Sequence, residues 1–531
     1  MLLRIAPALL LLASILPAQQ GPVPLYTDLG PHHRAISTAV PLTQQYFDQG
    51  LRLVYGFNHA EAIRSFTRAA ELDARCAMCW WGVAYAYGPH VNAGMDSASG
   101  AAAYVASRKA VRLLGNTTRW ERAWINAVAA RYGPMPTTDR AKHDSAYSRA
   151  MGKVATLWPK DLDAAALYAE SMMDLRPWNY WTPDGKPYPR TTEIVRQLER
   201  VIAKDPEHPG ACHYYIHAVE AVDPLKAIPC AERLARLMPG VGHMVHMPAH
   251  IYVRVGRYAD AAASNVHAIH TDETFIEGQK QTTLYSLGYY PHNIHFLAFV
   301  STMAGQSAKA LENAKQLKTK VNLDVARQAM MLQEMVPYYA LTLTTFGKWD
   351  EVLAEQLPPA DLRFPLAMAY YARGVAHAAK GDMAGAQLAL DSVKAIDSAT
   401  PANAEPKAPV SIAMHALMAE MAVRGGKVDE GIAHFRVALT IENAGLYSEP
   451  PKWYYPIRQS LGAALLKAGQ GAEAEAVYRE DLKRFPENGW SLFGLAAALK
   501  SQGKADEAAA VEKRFAAAWA GADITLAASR F

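Results

Sequence analysis

Small and apolar residues return at helical spacing through most of the chain, in a unit of about 34 residues. Each unit reads as a helix with a small residue at its eighth position, a Gly-containing turn, and a second helix carrying Ala, an aromatic and Ala. Residues 43–74 supply Gly50, Ala62, Phe66 and Ala69, and residues 75–88 restart with Gly82 and Tyr85. Residues 242–273 supply Gly256, Tyr258, Ala261 and Ala268, and residues 367–396 supply Gly374, Gly381 and Ala386. Residues 455–486 give Gly462, Gly469, Ala474, Tyr478 and Pro486, with one further hairpin over 487–520. Pro159, Pro206, Pro239 and Pro486 each follow an apolar helix face, where a helix normally stops. Strand patterns are nearly absent. The pattern predicts an all-α array in which each hairpin buries its apolar face against its neighbours. Residues 89–118, 174–190 and 271–291 break the pattern with Gly, Pro and aromatics, and are expected to be insertions that roof a groove.

Composition narrows the class. The 531 residues are 51% hydrophobic and 20% charged, too apolar for a disordered chain. A net charge of +4 spread over the length, with no basic run, gives no footprint for nucleic acid. The first twenty residues, MLLRIAPALLLLASILPAQQ, read as a secretory signal peptide cleaved around Ala18–Gln20. No later stretch is long and apolar enough to span a membrane, so the mature chain is expected in the periplasm or outside the cell. Of four cysteines, Cys76 and Cys79 form a CxxC that could be a disulfide, half of a metal site or buried thiols. Cys212 and Cys230 fall on one predicted hairpin, where an optional disulfide depends on geometry.

The repeat, with its Gly, Ala and aromatic frame, resembles the tetratricopeptide repeat family over most of residues 40–520. The resemblance implies an α-solenoid, a right-handed superhelix of about ten hairpins. The expected order is a signal peptide at 1–20, an N-terminal extension at 21–40, and hairpins with insertions at 41–200. A His-rich central section at 201–345 and C-terminal repeats at 346–531 complete it. The resemblance further implies that the first helix of each hairpin lines a concave groove through positions 2, 5, 9, 12 and 13. Counted from the upstream Pro or the downstream turn, His243 and His292 take position 2, and His213, His246 and His295 take position 5. His217, His250 and Glu170 take position 9, Glu220 position 12, and Asp174 and Arg254 position 13. Cys76, Cys79 and Glu334 also fall on inward positions.

Histidine is the anomaly that carries function. Ten of the 18 lie within residues 208–295, where an even spread would put about 3. His213/His217 and His246/His250 are i,i+4 pairs, and His243/His246 and His292/His295 are i,i+3 pairs, so each pair shares one helix face. Their flanks, ACHYYIHAVEA and GHMVHMPAHIY, are apolar and small, and burying imidazoles there requires ligands or hydrogen bonds. The expected metal ligands are His213, His217, Glu220, His243, His246, His250, His292 and His295. That is more than one tetrahedral ion needs, so two or more ions, or one ion with supporting histidines, fit better. Pro248 should kink the helix that aims His250. His267 and His270 are expected to be structural, and His32/His33 and His90/Asn92 are weak loop-borne candidates.

The expected function is a transition-metal centre, its ion among Cu, Fe, Zn and Ni. If it is catalytic, the chain is a metal-dependent oxidoreductase or hydrolase, with Glu220 or Glu170 as base and Arg254 or Asp174 holding substrate. The alternative is a metal-free scaffold that takes a peptide or protein partner in its groove.

Overall fold

The computed structural model describes residues 23–135, 137, 139–279 and 283–531, so the expected signal peptide lies outside the described residues. Among the described residues there is no strand, only two isolated bridges, His90 with Ala93 and Trp181 with Pro187. The fold is an all-α solenoid of helical hairpins. No described helix is long and apolar enough to cross a membrane.

Two compact units are present. The first holds the described residues up to Ile251 together with Val266–Tyr290, and the second holds Tyr252–Asn265 and Pro291–Phe531. The His-rich stretch 201–345 therefore contributes to both.

The first unit contains α1 (Pro41–Tyr55), α2 (His59–Leu72), α3 (Ala77–Ala86), α4 (Ser97–Arg112), α5 (Arg119–Ala129) and α6 (Ala141–Leu157). It continues with α7 (Leu162–Met173), α8 (Thr191–Lys204), α9 (Pro209–Val219), α10 (Ile228–Leu237) and α11 (Gly242–His246). The helix after α11 is α12 (Pro248–Arg254), and α13 spans Tyr258–Gln279. One packing device recurs. Phe66 on α2 lies between Gly50 and Gly82, where an added Cβ would come within 2.6 and 2.4 Å of its ring. Small residues at the eighth position therefore let three helices close around one aromatic.

Residues 89–118, expected as an insertion, mostly form α4, which packs on α3; only the loop at 87–96 interrupts the hairpin. Asp96 starts that helix by accepting the Ser99 N–H at 2.6 Å, a cap that outweighs the Gly and Ser of the sequence. The 174–190 stretch is indeed irregular. In the third predicted insertion, α13 runs on to Gln279, and Tyr285–Tyr289 form a π-helical turn. Pro248 interrupts its helix for one residue: α11 ends at His246 and α12 begins at Pro248, while Met247 between them keeps helical angles, φ −52° and ψ −33°.

The second unit comprises α14 (Tyr290–Met303), α15 (Ser307–Lys320), α16 (Leu323–Ala326), α17 (Met330–Met335), α18 (Tyr338–Thr345) and α19 (Trp349–Ala354). Then come α20 (Arg363–Ala379), α21 (Met383–Ala399), α22 (Lys407–Arg424) and α23 (Val428–Ala444). The unit ends with α24 (Ile457–Lys467), α25 (Gly471–Arg484), α26 (Gly489–Ser501) and α27 (Ala505–Ala518). Tyr478 on α25 lies between Gly462 and Gly494 as Phe66 does between its glycines. The unit's ends meet: the Trp490 indole on α26 donates to the Thr302 carbonyl of α14 at 2.9 Å.

Seven hairpin turns place Gly256, Gly305, Gly347, Gly381, Gly426, Gly469 and Gly503 in the left-handed region, with φ from +66 to +83°. This is the residue a Schellman-type helix end demands. The α1–α2 turn makes the same backbone bonds, Asn58 N–H to Leu53 carbonyl at 2.9 Å and Phe57 N–H to Val54 carbonyl at 3.0 Å. Yet its left-handed position is filled by Phe57, at φ +57°.

Candidate metal centre

Three helices deliver five of the predicted histidines, all within the first unit. Pro209 opens α9, and the His208 ring caps it by accepting the Ala211 N–H at 3.1 Å. His213 and His217 follow one turn apart on α9, His243 and His246 lie on α11, and the break at Met247 sets His250 on α12. All five are 0 to 3% exposed. Their rings form a continuous cluster, with centroids 5.0 Å apart for His213 and His217, 4.9 Å for His213 and His243, and 4.7 Å for His246 and His250. His217 to His250 and His243 to His246 are each 6.1 Å.

Outer partners orient these rings. His213 Nδ1 donates to the Tyr55 carbonyl at 2.6 Å, which leaves Nε2 without its proton and 3.1 Å from His243 Nε2. Glu220, at the C-terminal end of α9, lies 2.7 Å from His250 Nδ1 and 3.3 Å from His217 Nδ1 through its two oxygens. Expected as a ligand, Glu220 thus stands behind two histidines, where it fixes their tautomers. His246 Nε2 and His250 Nε2 are 2.8 Å apart.

Nitrogens of His213, His217 and His243 all lie within 4.8 Å of one another, a group that could hold a metal ion. His217 Nε2 and His243 Nδ1 are buried without a hydrogen-bond partner. Ligand nitrogens at about 2.0–2.1 Å from a common ion sit about 2.9–3.4 Å apart, so the 3.1 Å pair matches an edge of a coordination shell. Burial, and then repulsion from His217, holds His213 well below the usual imidazole range. Burial and the charge of His213 do the same to His243. Burial lowers His217 against the pull of Glu220. Burial would raise the Glu220 carboxyl, but His250 and His217 outweigh it and bring it down to about 2. The chemistry is that of neutral imidazoles backed by an ionised carboxylate, a donor set for a borderline transition metal.

Aromatic rings wall the cluster. Phe57 is 4.5 Å from His213 and stacks on His243 and His217 at 5.6 and 6.0 Å. Trp178, from the irregular 174–190 stretch, meets His217 edge-on at 5.1 Å, and its indole donates to Asn92 Oδ1 at 3.1 Å. Tyr289 lies 4.5 Å from His243. Two further histidines extend the row. His90 stacks on Phe57 at 4.4 Å, and His59 is 4.4 Å from His90. The sequence marks His90 only as a loop residue and does not mark His59, because nothing periodic links α2 and the 87–96 loop to α9. A His within two residues of the first Gly–aromatic turn was the available signal.

Glu170, Asp174, Arg254, His292, His295 and Glu334 complete the predicted residues. Glu170 on α7 and Asp174 at its end are buried around Arg131, whose guanidinium donates to Asp174 at 2.5 Å and to the Pro89 carbonyl at 2.9 Å. Burial raises both carboxyls, and the charge of Glu170 raises Asp174 further. Arg254 belongs to the second unit, where its guanidinium donates to the Arg484 carbonyl and faces the Tyr447 ring. His292 and His295 are also in the second unit. The His295 ring meets Tyr338 edge-on at 4.1 Å, and burial lowers it to about 3. Glu334, in the same unit, is raised by burial to about 7 despite Lys452 at 3.8 Å.

His267 and His270 are exposed on α13. Cys76 and Cys79 are joined in a disulfide, while Cys212 and Cys230 are free and buried. His32 and His208 flank Asp163, which also accepts from Tyr55 and Arg34. The His208 Nδ1 accepts the Ala211 N–H, and atoms of His32, Asp163 and His208 lie within 4.8 Å of one another, a group that could hold a metal ion.

No family model matches the chain, and no curated protein matches it. Solved structures similar to it include the human IFIT1 dimer with m7Gppp-AAAA, at 14% identity and TM-score 0.34, covering 83% of this chain and 89% of that one. The human IFIT1 dimer with PPP-AAAA gives 13% identity and TM-score 0.34 over 90% of each chain. Naa15/Naa10 bound to HypK-THB gives 12% identity and TM-score 0.22, over 90% of this chain and 70% of that one.

Proposed function

We propose that this is an exported helical-repeat protein that binds a transition-metal centre through His213, His217 and His243, with His246 and His250 offering a second position. The observation that carries the reading is the His213–His243 contact, Nε2 to Nε2 at 3.1 Å, with the His213 Nδ1 proton already committed to Tyr55. Three neutral imidazoles leave coordination positions for water or a small oxidant, the arrangement a metal-dependent oxidoreductase or hydrolase uses. Imidazoles 0 to 3% exposed favour a small reactant, such as water or dioxygen, over a bulky one. Glu220 then acts as an orienting partner of His250 and His217 more readily than as a base.

Elemental analysis of untagged protein, beside a His213→Ala/His217→Ala/His243→Ala variant, tests the reading. Stoichiometric metal in the native chain, lost in the variant with its helical circular dichroism intact, is the expected result. Metal-free native protein with an intact fold would overturn it. Export is tested separately: the mature chain should begin near residues 19–21, and native protein that still carries Met1 would refute export.

A further inference from the structure

Among the described residues only four besides glycine hold a left-handed φ, and two of them set rings against His217: Phe57 at +57° and Trp178 at +61°. Backbone strain of that kind persists only where the surroundings enforce it. Phe57 is buried. Trp178 is half-buried while the imidazole it meets is 3% exposed, so the indole stands between His217 and solvent.

Two irregular segments join at this point. Trp178 belongs to 174–190, and its indole N–H donates at 3.1 Å to Asn92 Oδ1 in the 87–96 loop. Asn92 is also half-buried, and nearby Gly94 faces open space, with no described atom within 4 Å of where a Cβ would stand. Further along, the Trp181 indole donates to the Ala218 carbonyl of α9 at 2.7 Å. The Tyr180 carbonyl accepts the Tyr188 N–H and the Thr191 hydroxyl at 2.9 and 2.6 Å. The segment is thus pinned beyond Trp178, whereas an indole has one N–H and Trp178 is latched by that bond alone. A hydrogen bond between half-exposed groups is worth little net, because water replaces it. Behind the latch, His217 Nε2 is buried without a partner among the described residues. With Nδ1 facing Glu220 Oε1 at 3.3 Å, Nε2 offers the lone pair that an incoming ion or reactive solute would meet.

We propose that Trp178 and Asn92 form a gate that decides what reaches the imidazole cluster. Breaking their bond and swinging the indole outward uncovers His217 Nε2 through a gap the size of one side chain, which passes ions and small solutes and excludes peptides. The purpose of the gate rests on the metal reading, but its opening belongs to the metal-free chain and is measured without an ion.

The test follows carbethoxylation of His217 by diethyl pyrocarbonate, which attacks an unprotonated imidazole nitrogen, in the full chain prepared with a chelator. Tandem mass spectrometry reads the rate, and His295, buried in the second unit, is the control. Trp178→Phe keeps a ring without the N–H, and Asn92→Leu removes the acceptor. Each should raise the His217 rate about 2–10-fold, the factor one net hydrogen bond supplies. The double variant should go no further than the faster single one, since both remove the same bond. Unchanged His217 rates in both folded single variants overturn the proposal, and so does a rise that His295 shares, which reports general loosening. Should one variant fail to fold, the other decides alone. A native chain that takes up no metal ends the metal reading and leaves this result standing.

Discussion

Phe57 stacks on His90 with ring centroids 4.4 Å apart while holding a backbone angle, φ +57°, that seven other hairpin turns give to Gly. A bulky residue in that region costs about 1–2 kcal/mol. The same ring touches His213, His217 and His243, so the strained turn seats the one aromatic common to the cluster. Strain of this kind collects where geometry matters to function.

Replacing Phe57 with Gly relieves the turn but empties the space between the imidazoles. Loss of a buried aromatic, about 3–5 kcal/mol, exceeds the relief, so a net destabilisation of about 2 kcal/mol is expected. Chemical denaturation measures it. Metal retention should fall in parallel in the folded variant, because the rings lose the surface that fixes them.

Glu220→Gln removes the charge that faces His250 and His217 while keeping the shape. If it acts as an orienting partner, metal affinity should fall about 10–100-fold with little change in helical signal. Competition against a chelator of known affinity reads this directly. An unchanged affinity would mean that the tautomers of His217 and His250 do not depend on it.

Acid should destabilise the metal-free protein well above the carboxylate range. His213, His217 and His243 are depressed in the folded state, so the unfolded chain binds more protons below about pH 6.5 and stability falls as pH falls. Glu220, brought down to about 2, adds a second loss as pH drops from its ordinary value near 4.5. Melting temperatures at pH 7.5, 6.5 and 5.5 should therefore decline stepwise. The triple His→Ala variant should show a shallower decline over that interval.

Thiol counting separates the four cysteines. In denaturant without reductant, an alkylating reagent should modify Cys212 and Cys230 only, and reductant should add Cys76 and Cys79. Mass spectrometry of the peptides reads both states. A mixed pattern linking Cys212 to Cys230 would contradict the pairing.

The hairpin array was legible because each repeat meets the same packing demand, as Phe66 between Gly50 and Gly82 and Tyr478 between Gly462 and Gly494 show. The i,i+3 and i,i+4 histidine offsets likewise placed five imidazoles on shared faces. Other features depended on contacts far apart in sequence. His90 and His59 joined the row through Phe57, and α4 emerged from a stretch whose Gly and Ser suggested a loop. Glu220 was visible as a neighbour of His217, but its place behind the ring follows from where α12 resumes after Pro248. His292 and His295 fit the same spacing rule and belong to the second unit, a division that spacing along a helix does not reveal.

The near-total enclosure of the five imidazoles bears on how such a centre would be filled. An ion reaching them after the helices have closed needs a transient opening, so its arrival is governed by the protein's breathing as much as by affinity. An ion present while α9, α11 and α12 assemble meets no such barrier. The identity of the metal would then record which ion was at hand during folding, and exchange afterwards would be slow. Refolding the denatured chain in the presence of different ions, and comparing their retention with that of ions offered to the folded protein, separates capture during assembly from equilibrium selection.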